Sequence, residues 1–388
     1  MRFFPFIRMS GPPSFRRLLT VGAVAVVVLA AVVAPAQAIS ASPGKAPLFN
    51  GSVYAVAYRG STVYVGGSFT SVSWGGRTYH RQRLAAFNAG TGALLKWSPA
   101  ADATVRALTV SGSGVYAGGD FHRVSGSRRD ALARIDAVSG AVGSFSHSVA
   151  GAPYALASGN GRLYVGGSFT SIDGTARRNL AAFSLTGGGL DRGWRAAADD
   201  SVHALALAGS RVYAGGAFRK INGVGGTRRI AALSTTSGGV FSAFQPNAPA
   251  QVNALATDGN GVYAATGGQG GKAIAYSSRG AVRWTRVFDG DIVAIVALAG
   301  TVFVGGHFDR ACLTNRNGSQ GACTDGAVSR VKLAAINNRG ALTPWAPRAN
   351  GVIGVRTLTA DRARSRITAG GDFTTINGVN RKRLAFFG

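Results

Sequence analysis

With no Glu, two Met and 57 Gly among 388 residues, and with Val, Thr, Tyr and Phe plentiful, the chain lacks most strong helix formers, which argues against a helical fold and for an all-β one. Its formal net charge of +27 comes from 36 Arg and six Lys against 15 Asp, and a charge of that size attracts anionic polymers or surfaces. The Arg excess is also what a GC-rich genome would write, so the placement of the charges is more informative than their sum.

Met1 to Arg17 carries four arginines and no acid, Leu18 to Ala34 is apolar, and Ala36-Gln37-Ala38 has the small-x-small form of a signal-peptidase site. Residues 1–38 therefore read as a cleaved secretory signal, and a secreted, extracellular or cell-wall-associated protein is expected. The apolar run of 17 residues is short for a membrane span and no charge follows it to stop transfer, so no stable span is expected after cleavage. No Cys follows it for lipid attachment, and Arg16-Arg17 leaves the choice between general and twin-arginine export open. Taking the four signal arginines from +27 leaves +23 on the mature chain. Its length of about 350 residues fits two domains or one large β-domain, and the composition selects the second.

After residues 39–50, read as an N-terminal segment or closing strand, a repeat fills residues 51–388. A glycine pair recurs at Gly66, Gly118, Gly166, Gly215, Gly267, Gly305 and Gly370, giving seven units of about fifty residues. Each unit reads as four short strands. The first is a V-x-A-L string, as at Val105, Val202 and Val252, and the second is V-Y-x-G-G-x-F, as in "VYVGGSFTSV" from Val63 and "LYVGGSFTSI" from Leu163. The third is "LAAF" at Leu84 and Leu180, "LARI" at Leu132 or "LAAI" at Leu333, and the fourth ends in Trp97, Phe145, Trp194, Phe244, Trp284 or Trp345. Antiparallel repeats of this length, apolar on both faces, suit the blades of a β-propeller. The expected fold is thus an all-β, seven-bladed propeller of four-stranded antiparallel blades. The fifth unit is reduced, the sixth is enlarged by a loop holding Cys312 and Cys323, and the seventh stops at "LAFFG" without a fourth strand. Ile39 to Ala46 is placed to supply that strand, although Lys45 stands where the aromatic belongs; the alternatives are a three-stranded last blade or a missing C-terminal segment. Export makes a Cys312–Cys323 disulfide the expectation.

The pattern V-Y-V-G-G-x-F-[TD]-x-[IV]-[ND]-G, then R-x-x-L-A, T-G and W-x-P, resembles the delta-60 repeat β-propeller family of secreted actinobacterial proteins over Gly51 to Gly388. The resemblance implies the fold and is nearly silent on function. Kelch repeats share a glycine pair and a later Trp at a similar period, and imply the same architecture.

Two sets of residues stand out. In the loops joining second to third strands, 19 Lys or Arg face four Asp, whereas the turns on the opposite face are nearly uncharged except for "DRARSR" from Asp361. Within them Arg81, Arg129, Arg177, Arg330 and Arg381 recur three residues before the third strand, with Arg228 two before Ile230. Either these arginines bind carbonyls and Asp within their own turns, or they form a face for an anionic polymer. The second set occupies the second position of each first strand, nearest the propeller axis: Tyr54, Arg106, Tyr154, His203, Asn253, Ala294 and Arg356. There the repeat becomes polar and variable, as a ligand pocket at the channel mouth or a lining for channel water requires.

No G-x-S-x-G, H-E-x-x-H or Cys/His metal spacing occurs, and the lack of Glu removes the commonest glycosidase carboxylate. No catalytic residue, metal or cofactor is assigned. The primary expectation is a monomeric, non-catalytic binding or adhesion scaffold at the cell envelope, whose partner is an anionic cell-wall polymer or polysaccharide, or another envelope protein, and not nucleic acid. The alternatives are an extracellular polysaccharide lyase or hydrolase acting at the channel mouth, and a purely structural envelope repeat protein.

Overall fold

The computed structural model describes residues 1, 3, 5, 11 and 39–388; the expected signal segment, residues 1–38, otherwise lies outside the described residues. Among the described residues no helix is long and apolar enough to cross a membrane, and helix is confined to two short 3-10 turns, Ser319–Gly321 and Arg362–Arg364.

The repeat folds as seven antiparallel meanders, numbered here as sheets 1 to 7 in chain order. Their first strands are Val53–Arg59, Val105–Ser111, Val149–Gly159, Val202–Ala208, Val252–Asp258, Ile292–Leu298 and Val355–Asp361. Each pairs with the second strand of its hairpin, and that strand pairs with a third, as in Thr62–Gly67 with Leu84–Asn88 or Arg366–Gly371 with Leu384–Phe387. A full fourth strand forms only in sheet 2, Val142–Ser146, and sheet 5, Val282–Val287. Elsewhere the expected fourth strand shrinks to one bridge: Phe87 with Leu94, Phe183 with Leu190, Leu233 with Val240 and Ile336 with Leu342. Few residues separate the turn from the aromatic and Pro that end this strand, and an outermost strand has a neighbour on one side only, so little ladder can form.

At sheet 7 the N-terminal segment takes the vacant outer position. Gly44 N donates to Phe386 O at 2.9 Å, Arg381 Nε donates to Gly44 O at 2.8 Å, and Trp345 Nε1 of sheet 6 donates to Ser40 O at 3.1 Å.

Hydrophobic burial lies between sheets. Tyr64 and Trp97 of sheet 1 share a buried cluster with Val105, Val115 and Ile135 of sheet 2, and Leu384 and Phe386 of sheet 7 share one with Val53, Val63 and Phe87 of sheet 1. In six sheets the second-strand aromatic meets the fourth-strand aromatic, for example Tyr64 with Trp97 at 5.0 Å and Phe303 with Trp345 at 5.0 Å between centroids. The polar ends of these side chains reach the next sheet: Trp97 Nε1 donates to Asp136 O at 2.8 Å and Tyr64 Oη to Ala137 O at 2.7 Å. Trp194 and Tyr164 of sheet 3 repeat the arrangement on Ser234 O and Thr235 O of sheet 4.

The glycine pair divides into two tasks. A Cβ on the first glycine would strike the first strand of the next sheet, at 2.6 Å from Val105 Cγ1 for Gly66, 2.6 Å from Val202 Cγ1 for Gly166 and 2.5 Å from Val53 Cγ1 for Gly370. A Cβ on the second would strike the carbonyl before its own first strand, at 2.0 Å from Ser52 O for Gly67 and 2.2 Å from Thr104 O for Gly119. Sheet 5 departs from the expectation. Val252 pairs with Thr266 and Ala254 with Ala265, so Ala265-Thr266 holds the paired register and Gly267 begins the loop beyond it.

Gly166→Ala is expected to lower unfolding free energy by about 1–3 kcal/mol through overpacking on Val202. Val202→Ala added to it should recover part of that loss in urea unfolding; strictly additive single losses would contradict the contact.

Candidate functional site

In every sheet the register between first and second strands slips at a β-bulge that leaves one residue unpaired, the second of the first strand in all but sheet 3, whose longer strand also slips between Val149 and Gly151: Tyr54 between Val53 and Ala55, Arg106 between Val105 and Ala107, and Arg356 between Val355 and Thr357. Tyr154, His203 and Asn253 occupy the same bulge in sheets 3, 4 and 5. A bulge of this kind re-aims a side chain out of the ladder. All six residues line one cavity of about 650 Å³ to which all seven first strands contribute. In sheet 6 the bulge residue is Val293, between Ile292 and Ala294, and not Ala294 as expected from sequence; Ala294 is buried at 2 % exposure and is the paired residue after the bulge. Both line the cavity.

The side chains form a belt of contacts around the cavity. The Arg356 guanidinium lies 5.1 Å from the Tyr54 ring centroid, that of Arg106 lies 5.9 Å from the Tyr154 ring, and the Tyr154 ring stacks on His203 at 5.5 Å and 13°. His203 Nε2 is 3.0 Å from Ser201 Oγ, and Asn253 Nδ2 donates to Ile292 O at 2.9 Å. Burial pulls the His203 imidazole below its ordinary range, against the opposing pull of Asp200.

Both cavity arginines are ion-paired. Arg106 donates from Nε and Nη2 to Asp120 Oδ1 and Oδ2, each at 2.7 Å, and Arg356 Nε lies 2.6 Å from Asp372 Oδ2. These two aspartates, missed by sequence reasoning, directly follow the glycine pair, and Asp stands there only in the two units with Arg at the bulge. The other units have Ser68, Ser168, Ala217, Gly267 and His307.

The recurrent loop arginines are structural cross-links. Arg81 donates to His80 O at 2.8 Å and Leu95 O at 3.0 Å, and Arg330 to Ser329 O at 2.7 Å and Thr343 O at 3.0 Å. Arg177 donates to Ala176 O at 3.0 Å and Asp191 O at 3.5 Å, Arg129 to the carbonyls of Arg128 and Gly143, and Arg381 to those of Asn380, Gly44 and Pro43. Each guanidinium therefore ties its loop to the outer edge of its own sheet, or in sheet 7 to the N-terminal segment. Desolvation holds Arg81, Arg177 and Arg330 below the usual guanidinium range. Arg228 does not belong to this set. The place three residues before Ile230 is held by buried Thr227, whose Oγ1 accepts from Ile221 N and donates to Val224 O, and Arg228 is exposed.

A second device escaped the sequence. Asn50, Asp102, Asp199, Asp289 and Asn350 each accept two backbone N–H groups of the neighbouring loop on one Oδ1, as Asp102 does from His122 at 2.8 Å and Arg123 at 3.0 Å. Cys312 and Cys323 are bonded and clasp the insertion of sheet 6. Among the described residues no cluster of three His, Cys or Asp is placed to hold a metal ion.

Arg330→Ala removes two hydrogen bonds and is expected to cost about 1–3 kcal/mol by chemical denaturation, a loss that anionic ligands do not restore. His203, held below its ordinary value, binds its proton more readily in the unfolded chain, so its contribution to stability is full above about pH 6.5 and declines below it. The fall in unfolding free energy between about pH 7 and pH 5 should be shallower in His203→Gln than in the wild type; parallel profiles would contradict this.

Comparison with known proteins agrees with this geometry. A family model described as a domain of unknown function (DUF5122) β-propeller matches residues 159–184, the turn, second strand and third strand of sheet 3. The WD40 β-propeller domain of Doa1 aligns with a TM-score of 0.52 at 12% identity, covering 88% of this chain and 95% of that one. The computationally designed Ika8 protein aligns at 0.50 and 14% identity, covering 88% and 98%. BamB from Moraxella catarrhalis aligns at 0.47 and 15%, covering 86% and 82%. No curated protein sequence matches the chain. At such identities the likeness to the Doa1 domain establishes the fold alone: the chain is an all-β protein of β-propeller architecture.

Proposed function

We propose that the seven sheets are the blades of one seven-bladed propeller of the delta-60 repeat kind, exported from the cell, which acts as a non-catalytic binding scaffold at the envelope. Its ligand is an anionic wall polymer or polysaccharide, taken up on the face that carries the second-to-third loops and the channel mouth. One observation carries this reading. With the carbonyl-bound arginines set aside, that face still presents Arg178, Arg219, Lys220, Arg228 and Arg310 as exposed cations from three different sheets. Summed over an extended polyanion, such exposed cations give salt-sensitive attraction without a deep pocket. The cavity adds stacked rings and hydrogen-bonding groups, suited to one unit of a chain lying across the mouth. The carboxylates that pair with its two arginines, Asp120 and Asp372, are engaged by those guanidiniums, which favours binding over general acid-base work.

On immobilised poly(glycerol phosphate) the protein should be retained at low salt and released as the ionic strength rises. Replacing Arg219, Lys220 and Arg228 by Ser should lower the eluting salt concentration, while Arg279→Ser and Arg339→Ser, on the opposite face, should not. Absent or salt-independent retention would overturn the proposal.

A further inference from the structure

Sheet 3 carries more positive charge at its outer rim than its structure uses. Arg177 and Arg178, in the loop before its third strand, meet Arg192 and Arg195, in the segment after its third strand, around a cavity of about 470 Å³ whose remaining lining is Thr175, Ala176, Ala196 and Ala197. No acidic side chain lines it. The nearby carboxylate of Asp191 is already committed, accepting from Arg162 Nε at 2.7 Å and from Gly193 N and Trp194 N. Among the described residues no carboxylate lies within ion-pair distance of Arg178, Arg192 or Arg195.

Only one of the four is needed by the fold. Arg177 is the recurrent cross-link, and its counterparts Arg81 and Arg330 do the same work with one cation or none at the matching places. At the places matching Arg178, Arg192 and Arg195, sheet 1 has Gln82, Lys96 and Ser98, and sheet 6 has Val331, Pro344 and Ala346. Arg178, Arg192 and Arg195 are exposed, and the one side-chain bond among them is Arg195 Nε to Arg192 O at 3.1 Å. After desolvation, the charges of Arg195 and Arg192 are what depress Arg177. Like charges gathered without a counter-ion destabilise the folded chain, and a bound oxyanion removes that cost while using the guanidinium forks in their preferred geometry.

We infer that this cavity is a specific oxyanion site for a phosphate group, held among Arg177, Arg178, Arg192 and Arg195. It deepens the proposed function, resting on that reading only for the idea that the phosphate belongs to a polymer; free phosphate offers the same chemistry.

Two probes separate these sources. In phosphate-free, low-salt buffer, calorimetric titration with inorganic phosphate should show one site on the wild-type chain and raise its melting temperature. R178Q, which removes no hydrogen bond, and R192Q/R195Q should each weaken phosphate binding by about tenfold or more. R219Q/K220Q, elsewhere on the same face, should bind phosphate as the wild type does. Without phosphate R178Q should melt at or above the wild-type temperature, since it relieves repulsion. Absence of phosphate binding, undiminished binding in both Gln variants, or a lower melting temperature of phosphate-free R178Q would overturn the site. Poly(glycerol phosphate) supplies the second arm. Free-phosphate binding lost in R178Q, with no polymer binding by the wild type, supports the site and overturns the polymer reading. Polymer binding undiminished in R178Q overturns the site and leaves the wider face reading standing.

Discussion

Neighbouring sheets can pack this closely because a glycine backbone, with no side chain, faces the first strand of the next sheet. Val105 rests on Gly66, Val202 on Gly166, Val252 on Gly215, Val355 on Gly305 and Val53 on Gly370, each at a distance where a Cβ would collide. The second glycine does the matching task within a sheet, lying under the carbonyl that precedes its own bulged first strand. The bulge and the close approach are therefore coupled. One brings seven first strands to a common cavity, and the other turns one unpaired side chain per sheet into it.

This coupling frees a single position per repeat from packing duties. The residues on either side of the bulge are buried and apolar or small except for half-buried Ala254 and Thr357, while the bulge itself holds Tyr, Arg, Tyr, His, Asn, Val and Arg in turn. Where Arg enters, an Asp two strand-ends away enters with it, so the cavity gains hydrogen-bonding capacity without accumulating net charge. The loop face is handled differently. Its recurrent arginines are consumed by carbonyls, and what remains exposed is irregular from sheet to sheet.

Much of this was legible in the chain because periodicity reports packing. The V-x-A-L, V-Y-x-G-G and L-A-A-F strings fall on first, second and third strands, and the polar, variable second position marks the cavity residues Tyr54 to Arg356. The repeat pattern misleads where one unit drifts. In sheet 5 the conspicuous Gly267-Gly268 lies beyond the paired register, which Ala265 and Thr266 hold. In sheet 6 the apolar run Ile292 to Leu298 hides which residue bulges, and the bulge falls on Val293 rather than on Ala294. Arg228 stands outside the series of loop arginines, since Thr227 satisfies the same turn with a hydroxyl. The Asp120 and Asp372 partners were readable as Asp after the glycine pair. The clustering of Arg192 and Arg195 with Arg177 was not, because a strand and a turn separate them in sequence.

The central claim is that recognition is confined to the face that carries the second-to-third loops and the mouth of the cavity. Hydrogen exchange of the chain with and without poly(glycerol phosphate) tests it most directly. Slowed exchange is predicted in residues 122–131, 170–179 and 219–229 and at the starts of the first strands, with none in the opposite turns at residues 89–93 and 137–141. Protection of those opposite turns, or protection spread evenly over both faces, would contradict the account.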